Sequence, residues 1–140
     1  MIVETGCVFC AIVKGDAPAE IVYEDEDTLA FMDIHPATRG HTLVIPKEHF
    51  QNIYDIEEEA LLATARTTMK VARAVGAAFE PDGLNILQAN EPGGFQSVFH
   101  FHFHIVPRWK DDGLIRPWQP KRGDEEEIRE TARLIRERLS

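Results

Sequence analysis

Gln96-Ser97-Val98-Phe99-His100-Phe101-His102-Phe103-His104-Ile105-Val106-Pro107 is the stretch that decides the fold. Successive side chains of a β-strand point to opposite faces. A strand over Val98–Val106 therefore puts His100, His102 and His104 on one face and Phe99, Phe101, Phe103 and Ile105 on the other. The apolar side can enter a core and leave the other side to carry imidazoles. At a rise of about 3.3 Å per residue, neighbouring histidines stand roughly 6.6 Å apart, close enough to act on one small group of atoms. Three of the six histidines fall within five residues, and imidazole is the side chain best suited to proton and group transfer near neutral pH.

Working outward, Glu20–Glu24 and Thr28–Ile34 are expected as strands around the exposed turn Asp25-Glu26-Asp27. His35-Pro36-Ala37-Thr38-Arg39-Gly40 is a loop by its Pro and Gly content, and Thr42-Leu43-Val44-Ile45 is apolar enough for a buried strand ended by Pro46. From Asp55 the period changes. Leu61, Ala65, Met69, Ala72, Val75 and Phe79 recur at helical spacing, with Asp55 as N-cap and Glu57, Glu58 and Glu59 favourable in the first turn. This main helix ends near Pro81-Asp82-Gly83, and Leu84–Leu87 is a further strand before the turn-rich Asn90–Gly94. Arg108–Gly123, with Trp109 and Trp118, suits a segment that packs over a surface without regular structure. Asp124–Leu139 is an amphipathic helix with Ile128, Ala132, Ile135 and Leu139 on one stripe, to be buried on its own domain or on a partner subunit.

The chain has 140 residues and 44% hydrophobic content, enough for one domain with a real core. Its 24 acidic and 15 basic residues give a net charge of −9, which disfavours nucleic-acid polymers because phosphate backbones are held by clustered Lys and Arg. A small anionic ligand in a locally neutral pocket remains compatible. Met1-Ile2-Val3-Glu4 opens without a signal-peptide pattern and no run approaches the ~18 apolar residues of a membrane span, so a soluble, cytoplasmic, membrane-free protein is expected. Two cysteines in a reducing compartment read as metal ligands or plain thiols rather than a disulfide framework.

Neutral imidazole attacks phosphorus well only when one nitrogen is free and the other is held as N–H by an acceptor. The middle histidine, His102, is thus the natural nucleophile, oriented by its neighbours. A rival reading has the histidines bind a catalytic metal that activates water, as His₃ zinc sites do.

The spacing filled by His100-Phe101-His102-Phe103-His104-Ile105-Val106 resembles the signature of the histidine triad (HIT) family of nucleotide hydrolases and transferases, in its small bacterial and Hint-like branch. The resemblance extends to Cys7-Val8-Phe9-Cys10-Ala11-Ile12, Ala30-Phe31-Met32-Asp33-Ile34, Gly40-His41-Thr42-Leu43-Val44-Ile45-Pro46-Lys47, Asn90 and Gln96-Ser97-Val98. It implies an α+β, HIT-like fold: a five-stranded antiparallel sheet with a main helix and a C-terminal helix, assembled as a two-fold homodimer. Residues 1–108 would form the HIT domain, and residues 109–140 a tail and amphipathic helix packed on the same domain or across the dimer.

The resemblance implies a hydrolase for purine nucleoside 5′-phosphoramidates or related nucleotidyl conjugates, working through a nucleotidyl-histidine intermediate on His102. His104 would lie beside the phosphate oxygens and leaving group, His100 would support from the other side, and Gln96, Ser97 and Asn90 would give polar contacts to the phosphate. Val8, Phe9, Ile12, Phe31 and Ile34 would surround the base, with Asp33 accepting from the ribose hydroxyls. By composition alone Asp33 is a solvated turn acid and Phe9, Phe31 and Ile34 are core. The alternative from another class is a nucleotide-binding regulatory or scaffold protein whose hydrolysis is slow and incidental.

Cys7 and Cys10 supply half of a tetrahedral zinc site, and the resemblance implies that His49 and His100 complete it as a structural centre, with no catalytic metal. Unliganded thiols and a redox pair are the other readings of the two cysteines. At one position the chain departs from the family: Phe95 stands where a Gly usually precedes the Gln, which would change the loop's path or narrow the leaving-group side.

Overall fold

The computed structural model describes residues 4–114 and 118–139. The opening residues 1–3, residues 115–117 of the tail and residue 140 lie outside them. The elements run α1 (Val8–Lys14), β1 (Ile21–Glu24), β2 (Thr28–Met32), β3 (Thr42–Pro46), α2 (Glu58–Phe79), β4 (Gly83–Leu87), β5 (Phe103–Arg108) and α3 (Glu125–Arg138). The five strands form one antiparallel sheet, as expected, and their order is β1-β2-β3-β5-β4.

Alternation along the central strands sorts two cores. Leu29, Phe31, Leu43 and Ile45 pack with Phe9 of α1 on one face. Ala30, Val44 and Ile105 pack with Val71 and Val75 of α2 on the other. With helices on both faces, β3 is buried along its whole length, which is why it reads as a continuous apolar run. His104 pairs in register with Leu43, so it points to the α1 face, while the next residue, Ile105, points to the α2 face.

The histidine strand is shorter than its alternation implied: β5 begins at Phe103, and His100 and His102 precede it. The Phe101 backbone N–H goes to the carbonyl of Phe50 (2.7 Å) instead of a sheet neighbour, so the chain leaves the ladder there. Both sides of this segment are enclosed, with Phe101 and His100 fully buried and only Phe99 substantially exposed.

The main helix is also corrected. Its N-cap position is Glu57, and Asp55 instead accepts the backbone N–H groups of Gln51 and Asn52, closing the preceding turn. Its core face runs through Thr64, Thr67, Thr68, Val71 and Val75, while Ala65 and Met69 of the anticipated stripe are exposed. Thr64 and Thr68 bury their hydroxyls by donating to the carbonyls of Ala60 and Thr64 one turn back, and Thr67 shares a 2.7 Å hydrogen bond with Thr28 of β2. At Gly40 (φ +94°) the backbone passes so close to the Phe79 ring and Pro107 that a Cβ would sit 3.0–3.1 Å from them, so a side chain there is excluded.

Helix α3 is capped by Asp124, which accepts from Glu127 N, but none of its residues is buried. Of the two places expected for its apolar stripe, its own domain or a partner subunit, the stripe does not bury itself on its own domain: Ile128, Ile135 and Leu139 stay exposed and Ala132 is half-buried. Among the described residues no helix is long and apolar enough to cross a membrane.

Two apolar strand residues in adjacent strands test this core. Leu29→Ala is expected to cost about 2–5 kcal/mol in chemical denaturation, because Leu29 is 1% exposed. Val22→Ala, at a position 52% exposed, should change stability by about 0.5 kcal/mol or less. Equal costs would contradict the assigned sheet faces.

Candidate active site

A cleft of about 450 Å³ opens between α1, the end of β2 and the segment leading into β5. Its walls contain most of the residues anticipated for a nucleotide: Val8, Phe9, Ile12, Phe31, Asp33, Ile34 and Ser97, together with His102 and His104. Pro18, Ala19, Met32, Leu43 and Val98 complete the apolar lining. Phe9 meets Phe31 edge to face at 5.2 Å and His102 at 5.2 Å, so one aromatic ring joins the apolar wall to the histidines.

The hydrogen-bond partners fix which nitrogen of each ring carries the proton. His102 Nδ1 lies 2.7 Å from the carbonyl oxygen of His100, which only accepts, so Nδ1 is the N–H and Nε2 keeps its lone pair. At His41 the Ala37 backbone N–H donates to Nδ1 (2.9 Å), which leaves the proton on Nε2. That Nε2–H points to His104 Nδ1 (2.9 Å), with Asp33 Oδ2 at 3.4 Å. His104 Nδ1 therefore accepts, and its Nε2 carries the hydrogen. The site holds one imidazole with a free lone pair beside one with an outward N–H, the pairing needed for attack and for donation to a leaving group.

Burial is the main cause of the rings' weak basicity. It lowers the pKa of His102 against the opposing pull of the His100 carbonyl and Asp33. His104 falls from 6.5 to about 4 through burial first and the neighbouring His102 and His41 second. His41 is lowered by burial despite Asp33. These imidazoles are neutral at pH 7.

His41 was missed by reasoning from the sequence. It is 6% exposed and bridges Asp33 and His104; its signals were its place in the Gly40–Lys47 stretch that carries the resemblance and at the head of the apolar strand beside β5, neither of which gave it a role. Two anticipated phosphate contacts lie elsewhere. Gln96 is buried with its amide committed: Oε1 accepts from Glu91 N and Asn52 Nδ2, and Nε2 donates to the Gln51 and Val98 carbonyls. Asn90 exchanges amide bonds with Gln88 and accepts from Ile53 N. Both hold the loops beside the cleft and neither lines it. Phe95 is 91% exposed and takes a left-handed conformation (φ +68°), so the Phe leaves intact the turn a Gly would make, at a cost in backbone strain.

His100 turns away from the cleft. Its Nε2–H donates to the Pro46 carbonyl (2.8 Å), which leaves Nδ1 facing Cys7 Sγ (3.5 Å) and Cys10 Sγ (3.6 Å). His49 is arranged likewise, with Nε2 against the Glu4 carboxylate (2.6 Å) and Nδ1 at 3.4 Å from Cys10 Sγ. Backbone N–H groups of Cys10 and Glu4 point at the two sulfurs. The four ligand atoms lie within 4.8 Å of one another. A tetrahedral zinc with ordinary bond lengths would place N and S about 3.5 Å apart, which the measured separations match, and both histidines have the outer hydrogen-bond acceptors that zinc-binding histidines need. The residues therefore fit the ion. Asp33, His41 and His104 form a second convergent group. The three triad rings do not converge on one point, since His100 belongs to the sulfur cluster.

The model of the HIT domain family matches residues 14–111. A crystal structure of a HIT family protein from Bacillus subtilis is 43% identical, with a TM-score of 0.90, covering 96% of this chain and 98% of that one. A Zn-bound histidine triad family protein from Mycobacterium smegmatis is 41% identical, with a TM-score of 0.75, covering 96% and 98%. An adenosine 5′-monophosphoramidase of Schizosaccharomyces pombe is 40% identical over 124 residues, 88% of this chain and 90% of that protein. With the sheet order, the paired histidines and these matches in agreement, the chain belongs to the HIT domain family.

Proposed function

We propose that this protein is a homodimeric nucleotide-binding hydrolase that cleaves purine nucleoside 5′-phosphoramidates or related nucleotidyl conjugates through a covalent nucleotidyl-histidine on His102. The observation that carries this reading is the 2.7 Å bond from His102 Nδ1 to the His100 carbonyl, in a ring that lines the cleft. Attack by Nε2 on phosphorus makes the ring cationic, so the Nδ1–H bond to the carbonyl strengthens as the new bond forms. The phosphorus–nitrogen bond of the substrate breaks as His104, protonated from solvent once the phosphate is bound, gives that proton to the departing amine and returns to the neutral form. The phosphate anion raises the pKa of His104 for this step. Water then attacks the phosphorus, its proton returns to His104, and the phosphorus–His102 bond breaks to release the nucleoside monophosphate. His41 holds His104 in the required tautomer.

The apolar slot between Phe9, Ile12 and Phe31 suits a planar base, and Asp33 at its rim suits the ribose diol. The phosphoramidase named among the relatives supports this substrate class. A structural zinc on Cys7, Cys10, His49 and His100 belongs to the same reading, supported by the fit of the donor set and the zinc-bound relative. So does a reducing, cytoplasmic setting, where both thiols stay available as ligands. A dimer is supported by apolar surface left open on the edge strand β4 (Ile86, Leu87), on α2 (Leu62, Met69) and along α3.

His102→Ala or His102→Asn should lower phosphoramidate hydrolysis by at least about three orders of magnitude while nucleoside monophosphate binding survives. Mass spectrometry of wild-type protein quenched during turnover should show a nucleotide adduct on His102. Binding without turnover in the wild type would favour the scaffold reading. The pH profile of kcat/KM, corrected for uncatalysed hydrolysis, should keep its acid limb below 6.5, because burial holds the nucleophile His102 neutral there; a limb near 7 would contradict this. Stability should fall as the pH drops from 6.5 toward about 4, since the unfolded chain then binds protons that His100 and His104 refuse in the fold. A urea midpoint equal at pH 7 and pH 5 would contradict that assignment.

A further inference from the structure

We infer that the Cys7/Cys10/His49/His100 cluster is a control point for the nucleotide site: ligation of these four side chains sets both the wall that receives the nucleoside and the ring that attacks phosphorus. The inference rests on the nucleotide reading above and goes beyond a staple for the N-terminus.

Two physical links run from the cluster to the cleft. The first is His100 itself. Its side chain faces both sulfurs while its backbone carbonyl accepts the His102 Nδ1–H at 2.7 Å. The same peptide unit donates its other end, the Phe101 N–H, to the Phe50 carbonyl (2.7 Å), so this acceptor moves only with the backbone segment as a whole, and His102 Nε2 moves with it. His100 is fully buried, with Nε2 held by the Pro46 carbonyl, so ligation at Nδ1 adds a further tie to the segment that carries the acceptor.

The second link is α1. Cys7 caps this seven-residue helix by accepting from Cys10 N, and Cys10 lies within its first turn. A helix this short does not hold its shape in isolation. Between the two cysteines stand Val8 and Phe9, both in the cleft wall, and Phe9 packs edge to face against His100 (5.8 Å) as well as His102 (5.2 Å). The start of the helix is tied to the body by the cluster and the buried Phe9 ring, and its second turn by Ile12 and Val13, which pack on the same core. When bound, zinc supplies four bonds that hold α1, His49 and His100 to one another. Without those bonds, the two thiols and two imidazoles keep only weak hydrogen bonds of 3.4–3.6 Å between them. Pocket wall and nucleophile are then released together.

His49→Gln tests this, since His49 is a ligand in the cluster and lies outside the cleft. Full-length wild-type protein, loaded with zinc and then stripped by a chelator, is compared with His49→Gln. The readouts are zinc content, circular dichroism, amide exchange of α1 and the Kd for adenosine 5′-monophosphate. The inference predicts that stripping leaves the sheet folded, exposes the α1 amides to exchange, and weakens nucleotide binding at least about tenfold. Zinc should restore the wild type and fail to restore His49→Gln. Equal affinity with and without zinc, a chain that takes up no zinc, or unfolding of the sheet along with α1 would each overturn the inference, the last by making the cluster a support for the whole fold. Loaded protein that fails to bind the nucleotide overturns the nucleotide reading and this inference with it, whereas binding indifferent to the metal overturns this inference alone.

Discussion

A single hydrogen bond, from the His102 ring to the backbone carbonyl of His100, gives the site its chemistry. A buried imidazole has two ways to carry its one proton, and only one of them leaves a lone pair for phosphorus. The carbonyl two residues back chooses that form. The sheet beneath holds this geometry in place: β5 starts at Phe103, Phe101 is locked to Phe50 and buried, and His104 is fixed by its register opposite Leu43.

Around that bond, the other polar groups are positioned by elements with different tasks. The loop before β3 brings His41 to His104, and its own tautomer is set by the Ala37 amide. The Gln96 and Asn90 amides close the loops before the histidines, Gln96 with both ends of its amide committed and Asn90 through Gln88 and Ile53. Helix α1 supplies the apolar wall and, through its cysteines, the sulfur half of the metal-type cluster. The acidic net charge of the chain is thus no obstacle to an anionic ligand, because the cleft is lined mainly by neutral rings and apolar groups with Asp33 at its edge.

Much of this was legible in the sequence, for identifiable reasons. Alternating His and Phe set the two faces of the segment, and the cleft gathers His102, His104 and the apolar residues that the family resemblance implied. What the sequence did not reveal lies where buried polar groups satisfy themselves. The core face of α2 is built from threonines whose hydroxyls bond back along the helix or to Thr28, so counting apolar residues alone selected the neighbouring, exposed stripe of Ala65 and Met69. Asp55 has the residue type of a helix cap but spends its carboxylate on the turn before the helix. Gln96 and Asn90 have the chemistry of phosphate ligands, and only the coordinates show their amides engaged. His41 sits in the Gly40–Lys47 stretch of the resemblance, but its role shows only through its distance to His104.

The most direct test is the tautomer of His102, read at neutral pH from two-bond ¹⁵N–¹H correlations of the ¹⁵N-labelled protein. The account predicts a neutral ring protonated at Nδ1. A ring protonated at Nε2 would put its proton where the lone pair must be and would contradict the account at its centre.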